Sequence, residues 1–356
     1  MINLETEVCR LLKIDYPIIQ AGMAGGPTTV DLVVEVSNAG GLGTLGAAYM
    51  APDALRQAIE EIQSKTQKPF GVNIFAAPVN DDFNRLAEVQ KALSPFRSEL
   101  KITEIQSSYQ SPDWSEEQFA ICVEKGVPVI STAFGCLSAV QMEAAKEQQI
   151  KIVVMVTTVE EALQAEASGA HAVVAQGSEA GGHRSTFSLE NHPVGAQIGT
   201  MALVPQIVDA VQIPVIGAGG ITDGRGLVAS LALGAQAVQI GTRFVGSKES
   251  GAHTVYKQAI FNSNEESTVV TKSFSGRPAR GIKNRFIEEF EQTGIEPLPF
   301  PSQNTITKDI RAAAATAHNP EFMSLWAGQS TRSLIEEMGA AEIVETIIEE
   351  AKAIIS

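Results

Sequence analysis

Eight short apolar runs, each followed by a stretch with helical patterning, constrain this chain more than any other feature of its sequence. The runs are YPIIQAG (16–22), LGTLGA (42–47), FGVNIF (70–75), VPVISTAF (127–134), KIVVMV (151–156), AVVAQG (172–177), IPVIGAGG (213–220) and AVQIGT (237–242). They are continuously apolar instead of alternating, which is how parallel strands covered on both faces read. Between them lie helical stretches such as PDALRQAIEEIQSKT and TVEEALQAEASGA, several ending in Gly-Ala or Ala-Gly, where glycine supplies a left-handed cap residue. Eight such units in about 250 residues predict an α/β fold, a closed (β/α)8 TIM barrel, with a doubly wound open sheet as the alternative.

The barrel is expected over residues 1–261, with the run AVQIGT and the helix SGAHTVYKQAIF behind it as its eighth unit. Two regions exceed the minimum. Residues 78–126 form an insertion that includes the polar stretch SSYQSPDWSEEQ, and residues 262–356 form a mostly helical extension with amphipathic spacing. The extension is expected to pack on the barrel mouth as a helical cap on the substrate side.

Lys and Arg number 26 against 41 Asp and Glu, a formal charge of −15. So acidic a chain is a poor partner for nucleic acid or an anionic membrane surface. If its substrate is an anion, a local cationic cluster must attract it against the global field. Cys9, Cys122 and Cys136 are too few and too scattered for a disulfide framework or a zinc site, and no histidine pair has ligand spacing, so no metal is expected. The N-terminal stretch lacks the apolar core of a signal peptide, and no apolar run approaches the roughly 18 residues of a membrane span. A cytoplasmic protein is the expectation, with the oligomeric state left open and a homodimer as one option.

In barrels of this kind the chemistry sits on the loops after the strands, and phosphate groups commonly bind beyond strands seven and eight. Both loops are glycine-bearing here, AGGITDGRG (218–226) and GTRF (241–244), so backbone N–H groups can approach phosphate oxygens closely. The sixth loop, QGSEAGGHRSTF (176–187), places His183 where it faces the mouth, a candidate proton acceptor or donor. Gly22 and Met23 in AGMAGG end the first strand. Asn73 ends the third and Gln239 lies on the eighth; either can line a ligand or form a polar layer inside the barrel. The motifs of NTPases, of serine hydrolases and of Rossmann domains are absent.

At these motifs the chain resembles the FMN-dependent nitronate monooxygenases, also known as 2-nitropropane dioxygenases. The resemblance runs through PIIQAGMAGG, SNAGGLGTLG, KPFGVNIF, VVAQGSEAGGHRS, IPVIGAGGITDGRG and AVQIGTRF, then through SFSGRPARGIKNRF (273–286) and SLWAGQS (324–330), covering nearly the whole chain. It implies FMN as cofactor, contacted by Gly22, Met23, Asn73, Gln176, Gly181, Gly220, Gln239, Ile240, Gly241 and Thr242. It also implies His183 as the active-site histidine and Lys308 on the substrate side. Ala133 stands where some members carry a histidine, and Asn304 where tyrosines precede the family's lysine. The reaction implied is oxidation of an alkyl nitronate such as propionate 3-nitronate by O2 to a carbonyl compound and nitrite, a detoxifying reaction. The sister family of FMN-dependent, NAD(P)H-using enoyl-ACP reductases shares the Gly-Gly-His loop and is the alternative.

Overall fold

In the computed structural model, which describes residues 2–104, 106 and 108–356, the eight apolar runs all form strands. These are β1 (Ile18–Gln20), β2 (Gly43–Gly46), β3 (Phe70–Phe75), β4 (Val129–Ala133), β5 (Lys151–Val156), β6 (Ala172–Gln176), β8 (Val215–Ala218) and β9 (Ala237–Ile240). The intervening β7 (Gly182–His183) belongs to another sheet. Among the described residues the eight pair in parallel in the order β1-β9-β8-β6-β5-β4-β3-β2. The ring closes between its two ends: Leu42 N–H donates to Ile18 O, and Gln20 N–H to Leu42 O, both at 2.9 Å. The sheet is therefore a barrel and not the open alternative.

Both faces of the strands are apolar because both are covered. Val153 of β5 points inward to join Ile19, Leu42, Val129, Val174, Ile216 and Ala237. Its neighbours Ile152 and Val154 point outward under the helices with Leu45, Val72, Ile130 and Val173. The helix Glu7–Leu12 inserts Val8, Cys9 and Leu12 into the inner cluster, and Glu7 N–H donates to Gln236 Oε1 at the start of β9, so this helix plugs the strands' N-terminal end. Each fully buried aliphatic side chain contributes roughly 1.5–3 kcal/mol, so this two-layer pattern is the main stabilising term.

The packing does not divide at 261. The helix Thr254–Phe261 turns away from the barrel and places Tyr256 and Ile260 in a second core with Phe274, Phe286, Phe290, Ile310 and Phe322. The outer slot that an eighth barrel helix fills, between helices Val30–Asn38 and Gly224–Ala232, is taken by Ala340–Ile355. Its Ile343, Val344, Ile347 and Ile348 pack on Leu32, Val36, Leu227 and Val238. The reason is its apolar stripe at helical spacing, which the nearer helix 254–261 matches only in part. The segment 78–126 is likewise split: helix Ser115–Glu124 joins the outer barrel layer through Phe119, Ile121 and Cys122, whereas helix Leu86–Glu99 joins the second core. The second core also carries a hairpin, β10 (Thr268–Thr271) and β11 (Ala279–Ile282), where helix was expected. β11 pairs antiparallel with β7, setting Ala279 opposite His183.

Candidate active site

His183 sits on a two-residue strand, not on a free loop. β11 holds its backbone on one side, and Gln176 braces it from below: the Gln176 amide donates to His183 O at 3.0 Å and accepts from Ser185 N–H at 2.9 Å. Gln176 thus spends both ends of its amide on fixing the sixth loop. Arg184, beside it, is fully buried and donates to the carbonyls of Gln176, Gly177 and Ala196, so its charge also serves to set the loop.

The imidazole lies among three aromatic rings, with a fourth behind them. Trp326 stands 5.5 Å away, Phe134 5.9 Å and Phe300 6.0 Å between centroids, and Phe75 packs behind Phe134 at 4.4 Å. Phe134 holds a left-handed backbone, φ 72°, strained for an aromatic residue, and the Arg277 guanidinium sits 3.9 Å above its ring. Ser275 Oγ lies 2.9 Å from His183 Nε2; it donates its one proton to Arg277 O and accepts from Arg277 N–H. With the Ser275 proton assigned to Arg277 O, Nε2 is the donor in this contact and Nδ1 carries the lone pair. Among the described residues Nδ1 has no partner.

Burial, then the positive charges of Arg277 and Arg311, push the His183 pKa down from 6.5 to about 3. The imidazole is therefore neutral at physiological pH. The sign follows by linkage: the unfolded chain takes up a proton on this histidine below 6.5, the folded one only near 3, so folding loses stability as pH falls between those values. Denaturant midpoints measured from pH 7 to 4 should fall more steeply for the native chain than for His183→Gln; parallel curves would contradict the shift.

Two residues outside the sequence-based expectation complete the site. Tyr49, 38% exposed, meets Phe75 edge-on and lies within the field of Arg277 and Arg311. Arg311 arrives from helix Lys308–Thr316. That helix is placed by the fully buried Arg97, which donates to Asp309 Oδ2 at 2.6 Å and to Ile306 O at 2.8 Å. The strap before it is pinned by Gln303 to Ser273 O and by Thr307 to Phe274 O, which brings Phe300 and Asn304 to the histidine side. Lys308 itself is exposed at the helix start. No local spacing marks Arg311, because the neighbouring Lys308 that the sequence singles out is exposed. Arg277 stands in the quoted SFSGRPARG stretch without a mark of its own.

The expected cofactor contacts fall into two groups. Gly22, Met23, Asn73 and Gly241 come together: a Cβ on Gly22 would lie 2.5 Å from Asn73 Cβ, and Met23 Sδ lies 3.9 Å from where one would stand on Gly241. Asn73 Nδ2 is engaged by Ser131 Oγ at 2.9 Å. Gly181, Gly220 and Thr242 meet under the segment Ala327–Ser330, where Gly328 N–H donates to Thr242 Oγ1, Gln329 N–H to Glu179 O and Ser330 Oγ to Gly220 O. Gln239 faces an interior cavity of about 10 Å³ with Ile19, Thr44 and Ser131. Ile240 turns its side chain outward into the helix layer, and its carbonyl accepts from Ala21 N–H.

A phosphorylated ligand fits the ends of β8 and β9. The N–H groups of Gly219, Gly220, Gly241 and Thr242 donate to no acceptor among the described residues, and Gly219 and Gly220 hold φ of 110° and 74°, which opens their backbone to an anion.

The nitronate monooxygenase family pattern matches residues 5–350. A probable nitronate monooxygenase of Staphylococcus saprophyticus is 45% identical over 99% of both chains, and one of Staphylococcus aureus 43% identical over 98% of both. Among solved structures, nitroalkane oxidase from Streptomyces ansochromogenes superposes with a TM-score of 0.91 at 35% identity, covering 98% of this chain and 99% of its own. FabK from Thermotoga maritima follows with 0.78 at 34% identity, covering 99% and 98%.

Proposed function

The chain belongs to the nitronate monooxygenase family, and on that premise we propose that it is an FMN-dependent enzyme that oxidises alkyl nitronates, propionate 3-nitronate among them, with O2 to a carbonyl compound and nitrite. The observation that carries this reading is a neutral imidazole with a free lone pair, facing two guanidinium groups inside an aromatic-walled site of a chain whose net charge is −15. Such a site takes a small anion in from water and offers it one proton acceptor.

FMN would rest its phosphate on the open N–H groups of Gly219, Gly220, Gly241 and Thr242, with Gly22 and Met23 beside its ring. When bound it supplies the electron transfer that lets a carbanion-like substrate react with O2. The chain's own residues supply the rest. A nitronate arrives deprotonated and needs no base, so Arg277 beside the imidazole holds its charge while Phe134, Phe300 and Trp326 keep water away. A neutral nitroalkane must first lose a proton, and Nδ1 of His183 is the group free to take it. Loss of a reactive nitronate in this way would be detoxifying, and the three cysteines, all unpaired, suit a reducing cytoplasm.

Oxygen uptake on adding propionate 3-nitronate to the flavin-loaded protein, with no NAD(P)H present, should be rapid and matched by nitrite. No uptake with flavin bound would sink the reading. The likeness to FabK favours a second one, NAD(P)H-dependent enoyl-ACP reduction, under which NADH would bleach the flavin quickly; the lower TM-score places it behind.

A further inference from the structure

We propose that Arg311 reads a second anionic group on the substrate, a carboxylate carried beyond the nitronate, and so selects carboxylate-bearing nitronates over those with a neutral tail. The inference rests on the nitronate-oxidising reading of the site and assigns the acid-binding end of it.

A guanidinium has five N–H donors. In Arg311 the two on Nη2 go to Asn304, to its carbonyl at 2.6 Å and its side-chain oxygen at 3.0 Å. The other three, on Nε and Nη1, have no acceptor among the described residues; Nε is closed off, and Nη1 is the end that remains open to a ligand. Asp309 lies near enough to be felt, but its carboxylate is committed to Arg97. Tyr49, the other group that favours the charge, is a phenol and brings no anion at neutral pH. Arg311 is thus a charged group in a desolvating environment with its nearest acid already taken.

Arg277 differs in this respect. Its guanidinium donates to the carbonyls of Arg184 and Thr186 and sits over the Phe134 ring, which fixes it as a static charge beside His183. The two arginines therefore divide the work: Arg277 is locked against the imidazole, and Arg311, held by Asn304 at one end, has donors to spare. A dianion with a nitronate at one end and a carboxylate at the other matches two separated cations better than a monoanion does. Arg277 and Arg311 are also the local answer to the opposing global charge of −15.

The test compares propionate 3-nitronate with propyl 1-nitronate, which keeps the nitronate and loses the carboxylate. Arg311→Met should lower the ratio of their kcat/KM values roughly tenfold to hundredfold, the range for losing a charge-assisted hydrogen bond. Arg311→Lys should recover part of it. Succinate, an unoxidisable isostere of propionate 3-nitronate, provides a readout apart from turnover. Titrated against the bound flavin's absorbance, it should perturb the native enzyme at least tenfold more tightly than butyrate, and this preference should vanish in Arg311→Met. An unchanged ratio, or equal binding of succinate and butyrate by the native enzyme, would overturn the proposal. If the native enzyme oxidises neither nitronate, the functional reading fails, and the succinate titration still decides the role of Arg311.

Discussion

Replacing His183 by Ala is expected to lower turnover of a neutral nitroalkane by roughly 10²–10⁴-fold, while turnover of the corresponding preformed nitronate falls by less than about tenfold. The asymmetry follows from what each substrate asks of the site. The nitroalkane must give up a carbon-bound proton, and His183 Nδ1 is the lone pair open to it, because Nε2 is tied to Ser275. The depressed pKa keeps that nitrogen unprotonated whenever substrate arrives. It also makes the imidazole a weak base, and the nitronate generated beside it offsets this, since the new anion stabilises the imidazolium it has just created. A preformed nitronate bypasses the step and loses only a neighbour. Steady-state oxygen uptake with nitroethane and with ethyl nitronate, each measured against the native enzyme, separates the cases. Equal losses on both substrates would mean that His183 shapes the site without moving a proton.

Gly181→Ala is expected to release the cofactor. A Cβ at this position would stand 2.5 Å from Gly328 N and 2.6 Å from the carbonyl carbon of Ala327, both backbone atoms that no rotamer change can move aside. The segment it would displace is the clasp that runs from Trp326 to Ser330 and ties the sixth, seventh and eighth loops together through Thr242, Glu179 and Gly220. Overpacking of this kind costs about 1–3 kcal/mol, and if the strain is relieved by opening the clasp, FMN affinity drops roughly fivefold to more than a hundredfold. The barrel core lies elsewhere, so the thermal unfolding of the flavin-free forms should differ little. Fluorescence titration with FMN checks the first expectation and calorimetry of the apoproteins the second; undiminished affinity would show that the clasp plays no part in holding the ligand.

The barrel was legible because each of its strands is buried on two faces, and a run such as KIVVMV or AVVAQG has few other places to go. The site was legible only where glycine or histidine marks a loop. Gln176 looks from the sequence like a ligand-facing residue; its amide also braces the loop, with one bond to His183 O and one from Ser185 N–H, a pattern that depends on a loop returning over the strand end. Arg311 was hidden for a different reason. Its position depends on Arg97 gripping Asp309, a contact between residues 212 apart in the chain, and no local pattern encodes such a pairing. Phe134 adopts its left-handed backbone under the weight of Arg277 and the hydrogen bond from its own N–H to Ser185 Oγ, not from any preference of phenylalanine.

The origin of the eighth outer helix bears on how the molecule is made. β9 ends at Ile240 and the helix that covers its flank starts at Ala340, so the 99 residues 241–339 must leave the ribosome between them. At about 5–20 residues per second, that leaves the apolar flank of β9, with Leu32, Val36, Leu227 and Val238, uncovered for roughly 5–20 s during every round of synthesis. A nascent chain in this interval offers a ready-made surface to chaperones. A message truncated between codons 241 and 339 would yield a product with every barrel strand and the outer flank of β9 still bare, a natural substrate for proteolytic quality control.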